Sequence, residues 1–124
     1  MTTYLEPELC RLKEHYPEAT VSTLSDGVVL VTLGQVTVPH GWSLSAPTLA
    51  FVVPAGYPAA QPDCFYVDEV LTLAGGQVPQ NSGRQPLGGR DWTWFSWHLQ
   101  SWRPGRDNLF TYARFVELRM SDVR

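Results

Sequence analysis

A serine and a histidine lie two residues apart in the most aromatic stretch of the chain. Ser96 and His98 stand within residues 92–102, which contain four of the five tryptophans. If this segment is extended, side chains two residues apart point to the same face, so the hydroxyl and the imidazole could meet. Serine becomes a nucleophile when a base takes its proton, and histidine is the usual base. The spacing therefore predicts a candidate nucleophile–base pair, with Asp91 or Asp107 to orient the imidazole.

A structural interpretation of the same residues stays open. Ser96 then fills a small space among indole rings, and His98 is a half-buried hydrogen-bonding residue. Tryptophan is large and its N–H needs a partner, so we expect at least two of the four to pack in the core or fix a loop. An exposed one would suit contact with a partner protein. Spacing alone does not decide between the two interpretations.

The other chemically active residues predict neither a metal site nor a cofactor. Cys10 and Cys64 are far apart in apolar surroundings, which indicates two reduced core thiols in a cytosolic protein. Together with the three histidines they lack the close paired spacings of zinc ligands. The glycines do not form the Gly-x-x-x-x-Gly-Lys phosphate loop, so ATP chemistry would belong to another protein.

Length and charge limit the class of protein. The 124 residues suit one domain, residues 1–124, with 44% hydrophobic content and a packed core. A net charge of −3 argues against nonspecific binding of nucleic acid or of a membrane surface. The sequence contains neither a membrane-spanning apolar run nor a signal-peptide pattern at its N-terminus. We therefore expect a cytoplasmic protein.

Hydrophobic periodicity predicts a helix near each end of the chain. Pro7 suits the first turn of a helix over residues 5–15. Its apolar face has spacings of 4, 3 and 4: Leu5, Leu9, Leu12 and Tyr16. Asp107 is a good N-cap for the second helix. Its core face repeats the same spacings: Leu109, Ala113, Val116 and Met120.

The middle of the chain predicts strands and one long loop. Runs rich in β-branched and aromatic residues, bounded by turn residues, predict four strands: Thr20–Leu24, Val28–Leu33, Pro47–Val53 and Phe65–Val67. Residues 75–90 contain five glycines and two prolines and predict a functional or flexible loop. The predicted class is α+β: an N-terminal helix, an antiparallel meander of about four strands with helices on one face, and a C-terminal helix.

Two motifs in this order resemble the ubiquitin-conjugating-enzyme (UBC-like) fold. The first begins with Tyr57-Pro58 after the third strand, continues to Pro62 and ends in the short fourth strand. The second is Trp102-Arg-Pro104-Gly, followed by a helix. The resemblance implies that the Tyr57 ring packs under an extended, proline-rich crossing. It also implies that the loop 75–90 is the flap of an active site.

Residues 92–98, followed by Trp102-Arg-Pro-Gly-x-Asp, are similar to a bacterial branch of this superfamily. Genes of that branch typically stand beside those for an adenylating, ubiquitin-activating-like enzyme, a ubiquitin-like or multi-ubiquitin-like protein and a JAB-type metallopeptidase. The resemblance implies a role in bacterial ubiquitin-like conjugation. The expected partners are the ubiquitin-like protein and the activating enzyme.

The chain departs from this family at the nucleophile. Conjugating enzymes form a thioester on a cysteine before the Trp-Ser-Pro motif, whereas the corresponding position here is Phe95 or Ser96. The resemblance therefore implies an oxyester on Ser96, with His98 as base or positioning group and Asn81 as an oxyanion or flap residue. Asn81 stands too far upstream for the family's usual spacing. The alternative is a non-catalytic UBC-like module that binds a ubiquitin-like protein or the activating enzyme through its first helix and sheet.

Overall fold

Helices lie at both ends of the fold and strands between them. The computed structural model describes residues 5–25, 27–68 and 70–124. Its elements, in chain order, are α1 (Glu6–His15), β1 (Thr20–Ser25), β2 (Val28–Gln35), β3 (Thr48–Val53), β4 (Cys64–Val67), β5 (Ser82–Leu87), β6 (Arg90–Ser96) and α2 (Leu109–Met120). The predicted α+β class is confirmed, and the four predicted strands correspond to β1–β4. No helix in the described ranges has the length and hydrophobicity needed to cross a bilayer.

The sheet is larger than the sequence predicts. Its six strands are all antiparallel to their neighbours, in the order β1-β2-β3-β4-β6-β5. The two unexpected strands form a hairpin, and β5 lies inside the predicted loop 75–90. Gly88 and Gly89 make its two-residue turn with φ of 59° and 83°, which type I′ hairpin turns require. The glycines that predicted a loop in fact close a hairpin.

Both helices pack on one side of the sheet, which we call the inner face. Phe51 of β3 meets Tyr112 of α2 edge-on, with ring centroids 5.1 Å apart. The predicted helical faces are confirmed, because every residue named for them is buried or packs against the core. The N-cap of α2 is Asn108, not Asp107: the Asn108 side chain accepts from the Thr111 N–H at 3.0 Å, and the Thr111 hydroxyl accepts from the Asn108 N–H at 3.1 Å.

The opposite side of the sheet, the outer face, carries a second apolar cluster. Its buried members are Leu30, Ala50 and Trp92, and partly buried side chains pack around them: Leu24, Val52, Tyr66 and Leu87. Although β1 and β5 are opposite edges of the sheet, a Cβ atom at Gly88 would lie 3.9 Å from Leu24 Cδ2. The β5–β6 hairpin therefore curls back over the outer face until its turn meets β1.

Candidate functional site

Ser96 is the last residue of β6 and lies between two neighbours on adjoining strands. It is paired with Cys64 of β4. On its other side, the Ser96 N–H donates to the carbonyl of Asn81 over 2.9 Å. Asn81 is far upstream in sequence, but the hairpin folds back and brings it alongside. Cys64, Ser96 and Asn81 therefore form a row across the end of three chain segments.

The Ser96 hydroxyl lies on the outer face of the sheet. Its neighbour Phe95 is fully buried on the inner face, stacked on Phe65 with ring centroids 4.6 Å apart. Side chains alternate along a strand, so Ser96 points the other way, to the face where Cys64 also lies. Ser96 is exposed and Cys64 is partly buried. The hydroxyl is thus open to a reactant approaching from outside.

His98 lies just beyond β6 and is paired with an aspartate that the sequence did not suggest. Its Nδ1 is 3.5 Å from Asp63 Oδ1, with the side chains 52% and 76% exposed. A contact this exposed contributes little to stability, but it places a carboxylate beside the imidazole. Asp63 directly precedes Cys64, the cross-strand neighbour of Ser96. Ser96 and His98 therefore both lie beside the segment that contains Asp63 and Cys64.

The carboxylates predicted to orient His98 lie elsewhere. Asp107 Oδ2 accepts from the Arg103 N–H at 2.8 Å and closes the turn before α2. Asp91 is paired with Pro86 at the opposite end of β6 from Ser96. Asp63 is thus the carboxylate in position to hold the imidazole.

Gln61 fixes the segment that carries His98. Its side-chain amide donates to the Leu99 carbonyl at 2.8 Å, and its side-chain oxygen accepts from the Leu99 N–H at 2.8 Å. The side chain thus supplies the two hydrogen bonds that a neighbouring strand would give. It extends the β4–β6 pairing past Ser96 and limits where His98 can lie.

Replacing Gln61 with alanine is expected to lower the free energy of unfolding by about 1–2 kcal/mol, because two hydrogen bonds are lost. The Leu99 amide should also exchange its hydrogen markedly faster. Gln100→Ala, at an exposed neighbouring position, serves as the control and should change neither quantity. Equal Leu99 exchange rates in the two variants would show that Gln61 does not hold this segment.

Asn81 adopts a backbone conformation that few residues other than glycine take. Its φ is 62°, in the left-handed region where asparagine is tolerated best among residues with a side chain. Its carbonyl is bound to Ser96, and its side chain is exposed. Because the Ser96 N–H is already donated to Asn81, it is not available to an oxyanion. An oxyanion at this position would therefore need a side-chain donor.

The residues of the two UBC-like motifs come together below the site. The Trp102 indole N–H donates to the Pro58 carbonyl at 2.7 Å, and the Trp102 and Tyr57 ring centroids are 6.0 Å apart. Tyr57 and Pro62 are buried, and the Tyr57-Pro58 peptide is cis. Pro104 lies in the exposed turn before α2. The first motif is therefore tied to the segment that follows His98.

Arg119 of α2 supports the site from the inner face. It is 2% exposed, and its guanidinium lies 5.1 Å from the ring centroid of Phe95 and 5.4 Å from that of Trp97, the two residues that flank Ser96. It also donates to the carbonyl of Gln80, the residue before Asn81, at 2.9 Å. One buried side chain thus contacts both chain segments that meet at Ser96.

Cys64 is the second nucleophilic side chain in the row, but its surroundings oppose ionisation. Burial raises the pKa of the Cys64 thiol above its ordinary value, and hydrogen bonds from the Trp94 side chain and the Trp97 main chain offset this only in part. The thiolate is the reactive form of cysteine, so Cys64 is a weak nucleophile at neutral pH. Ser96 is the more exposed of these two neighbouring side chains.

Iodoacetamide is expected to alkylate Cys10 before Cys64 at pH 8, because Cys10 is exposed and the Cys64 thiol is largely protonated. The raised pKa sets the direction: the rate at Cys64 should still be rising above pH 9, where an ordinary thiol is levelling off. Peptide mapping of alkylated protein over pH 7–10.5 measures both rates. Equal rates at pH 8 would contradict this assignment.

Three residues that shape the site carry no signal in the sequence. Gln61, Asp63 and Arg119 each act on a segment far away along the chain. A polar residue next to a proline crossing, or an arginine in an amphipathic helix, ordinarily faces solvent. The pairing of β4 with β6 explains the contacts of Gln61 and Asp63, and the packing of α2 on the sheet explains those of Arg119. Within the described residues, no group of three or more histidine, cysteine, aspartate and glutamate side chains is arranged to hold a metal ion.

Comparison with known proteins identifies a family for this chain. No curated protein and no solved structure gives a significant match. The family model described as prokaryotic E2 family E matches residues 4–122, which is nearly the whole chain. E2 proteins are ubiquitin-conjugating enzymes, and the matched region includes both UBC-like motifs and Ser96. The chain belongs to the prokaryotic E2 family E.

Proposed function

We propose that this protein carries the C-terminus of a ubiquitin-like protein as an oxyester on Ser96. The observation that supports this most is the placement of Ser96. It is exposed on the outer face, next to Asn81, and the adjoining segment holds the His98–Asp63 pair. Membership in an E2 family supplies the reaction class. An adenylating, activating enzyme supplies the activated acyl group.

The reaction transfers one acyl group. The Ser96 Oγ attacks the activated carbonyl carbon, and the carbon–oxygen bond of the new ester forms. His98 takes the hydroxyl proton, while Asp63 steadies the imidazolium that results. The bond from the carbonyl carbon to the activating enzyme's sulfur, or to AMP, breaks, and the leaving group departs with the electron pair. The Asn81 amide donates to the oxygen that becomes negative in between.

The β5–β6 hairpin takes the place of the predicted flap. It provides Asn81 at its base and covers part of the outer face beside Ser96. The ester then passes to a final acceptor outside this chain.

Incubation with the activating enzyme, ATP and the ubiquitin-like protein tests this function. The expected product is a covalent adduct that hydroxylamine cleaves and dithiothreitol leaves intact, as an oxyester requires. An adduct lost on dithiothreitol treatment would indicate a thioester and contradict the proposal. If no adduct forms while the proteins still bind one another, the chain is the non-catalytic UBC-like module.

A further inference from the structure

An apolar cleft on the outer face ends beside the candidate site. We call it the outer-face cleft, and its volume is about 360 Å³. Apolar side chains line most of it: Leu24, Val52, Pro54 and Leu87. Asp63 and Cys64 form one of its ends, so the cleft reaches the residue paired with Ser96. Its volume is at the lower end of the range for ligand-binding pockets.

The curled hairpin covers this cleft. Leu24 of β1 and Leu87 of β5 both line it, although their strands are opposite edges of the sheet. A second concavity of about 350 Å³ shares Leu24 and Leu87 and continues towards Trp92. Because side chains of both edge strands line this concave part of the face, it suits a narrow chain better than the flat surface of a folded domain. An extended chain is narrow enough to enter.

The direction of the Ser96 side chain indicates which extended chain would enter the outer-face cleft. An acyl group bonded to its Oγ starts on the outer face, within one cross-strand spacing, about 4.5–5.5 Å between Cβ atoms, of Cys64 at the end of the cleft. We infer that the outer-face cleft binds the extended C-terminal tail of the ubiquitin-like protein whose last carbonyl is esterified to Ser96. This inference rests on the proposed function and names the tail-binding surface.

The lining defines the chemistry of the tail. Leu24 and Leu87 are partly exposed apolar side chains on opposite walls, and together they suit an apolar residue a few positions before the ester. The Asp63 carboxylate at the near end repels an acidic residue close to the ester. The tail that fits is therefore extended, carries an apolar side chain, and lacks acidic residues next to its terminus.

The first test measures adduct formation by charge-introducing variants. Leu24→Glu and Leu87→Glu should each raise KM for the charged activating enzyme about tenfold, because the glutamate replaces the apolar contact, while kcat changes less than about threefold. Leu118→Glu is the matched control, since Leu118 is 66% exposed on α2, away from the cleft. Thermal midpoints of all three variants establish that they are folded, and Leu87→Ser replaces Leu87→Glu if that variant is not.

A second test needs neither Ser96 nor the activating enzyme. Cys64 lines the cleft and can capture peptides by disulfide exchange. In a Cys10→Ser protein brought to equilibrium with mercaptoethanol, N-acetyl-Leu-Ala-Gly-cysteamine disulfide should be captured about tenfold more than its N-acetyl-Glu-Ala-Gly counterpart. Leu87→Glu should abolish this preference, and Leu118→Glu should preserve it.

The two tests separate this inference from the proposed function. Selective capture of the leucine peptide, without any ester on the wild-type protein, would support the peptide-binding cleft and contradict the proposed function of Ser96. The cleft would be contradicted if Leu24→Glu and Leu87→Glu both formed the ester with wild-type KM, or if the leucine and glutamate peptides were captured equally. Either result would leave the proposed function of Ser96 intact. A preference for the glutamate peptide would also contradict the cleft.

Discussion

Ser96→Ala is expected to reduce ATP-dependent ester formation by at least about a hundredfold, because the variant lacks the hydroxyl of the proposed acyl acceptor. The thermal midpoint should stay near that of the wild-type protein, since Ser96 is exposed and its main-chain hydrogen bond to Asn81 is kept. Cys64 should not take over, because burial raises the pKa of its thiol. Rapid-quench assays of adduct formation measure the effect.

Two variants make this result specific. Ser101→Ala removes an exposed serine from the neighbouring loop and should react like wild type. Ser96→Cys should restore adduct formation, but as a thioester that dithiothreitol cleaves. Undiminished ester formation by Ser96→Ala would place the attachment elsewhere in the chain.

Arg119→Met is expected to lower the free energy of unfolding by about 3 kcal/mol, the largest stability effect that we predict. Methionine preserves much of the apolar contact with the rings around Arg119. It cannot donate to the carbonyls of Gln80, Asp122 and Arg124, which the guanidinium binds at 2.8–2.9 Å. Three part-buried hydrogen bonds from a charged, buried side chain contribute more to stability than one exposed ion pair does.

Arg114→Met on the same helix is the matched control. Arg114 is 61% exposed and pairs with Glu117, so its replacement should change the free energy of unfolding by less than about 1 kcal/mol. Denaturant titration of the two variants compares them directly. Equal midpoints would show that the three carbonyls find water or other donors, and that Arg119 does not join Gln80 to α2.

Replacement of Arg119 should also disturb the surroundings of Ser96. Its guanidinium packs against Phe95 and Trp97 on either side of Ser96 and holds Gln80 next to Asn81. At a temperature where the variant is still folded, we therefore expect slower ester formation in Arg119→Met than in Arg114→Met. Such a result would show that the contacts of Arg119 in α2 help to position Ser96.

The sequence predicted those parts of the fold that depend on local periodicity. Both helical faces and the strands β1–β4 follow from apolar spacing and turn residues, and the structure contains them. The sequence does not predict the hairpin because β5 has no β-branched residue and includes Pro86, which an edge strand tolerates. Its stability comes from pairing with β6 and from the Gly88-Gly89 turn, neither of which a composition window detects.

Only the central residues of the candidate site could be predicted from the sequence. Ser96 and His98 stand out because they are close in sequence. Asn81 follows only from the family resemblance, and the hairpin brings it to Ser96. Asp63 and Gln61 depend on the pairing of β4 with β6 and its continuation, which is a long-range feature. Side chains that non-local strand pairing brings together have no characteristic spacing in the sequence.

Mass-spectrometric mapping of the attachment residue in the wild-type adduct tests the central claim most directly. The adduct is digested at low pH to preserve the ester, and the peptide that carries the remnant of the ubiquitin-like C-terminus is fragmented. We predict that the remnant is on Ser96. A remnant on Cys64, or an isopeptide on Lys13, the only lysine of the chain, would contradict the assignment of Ser96 as the acyl carrier.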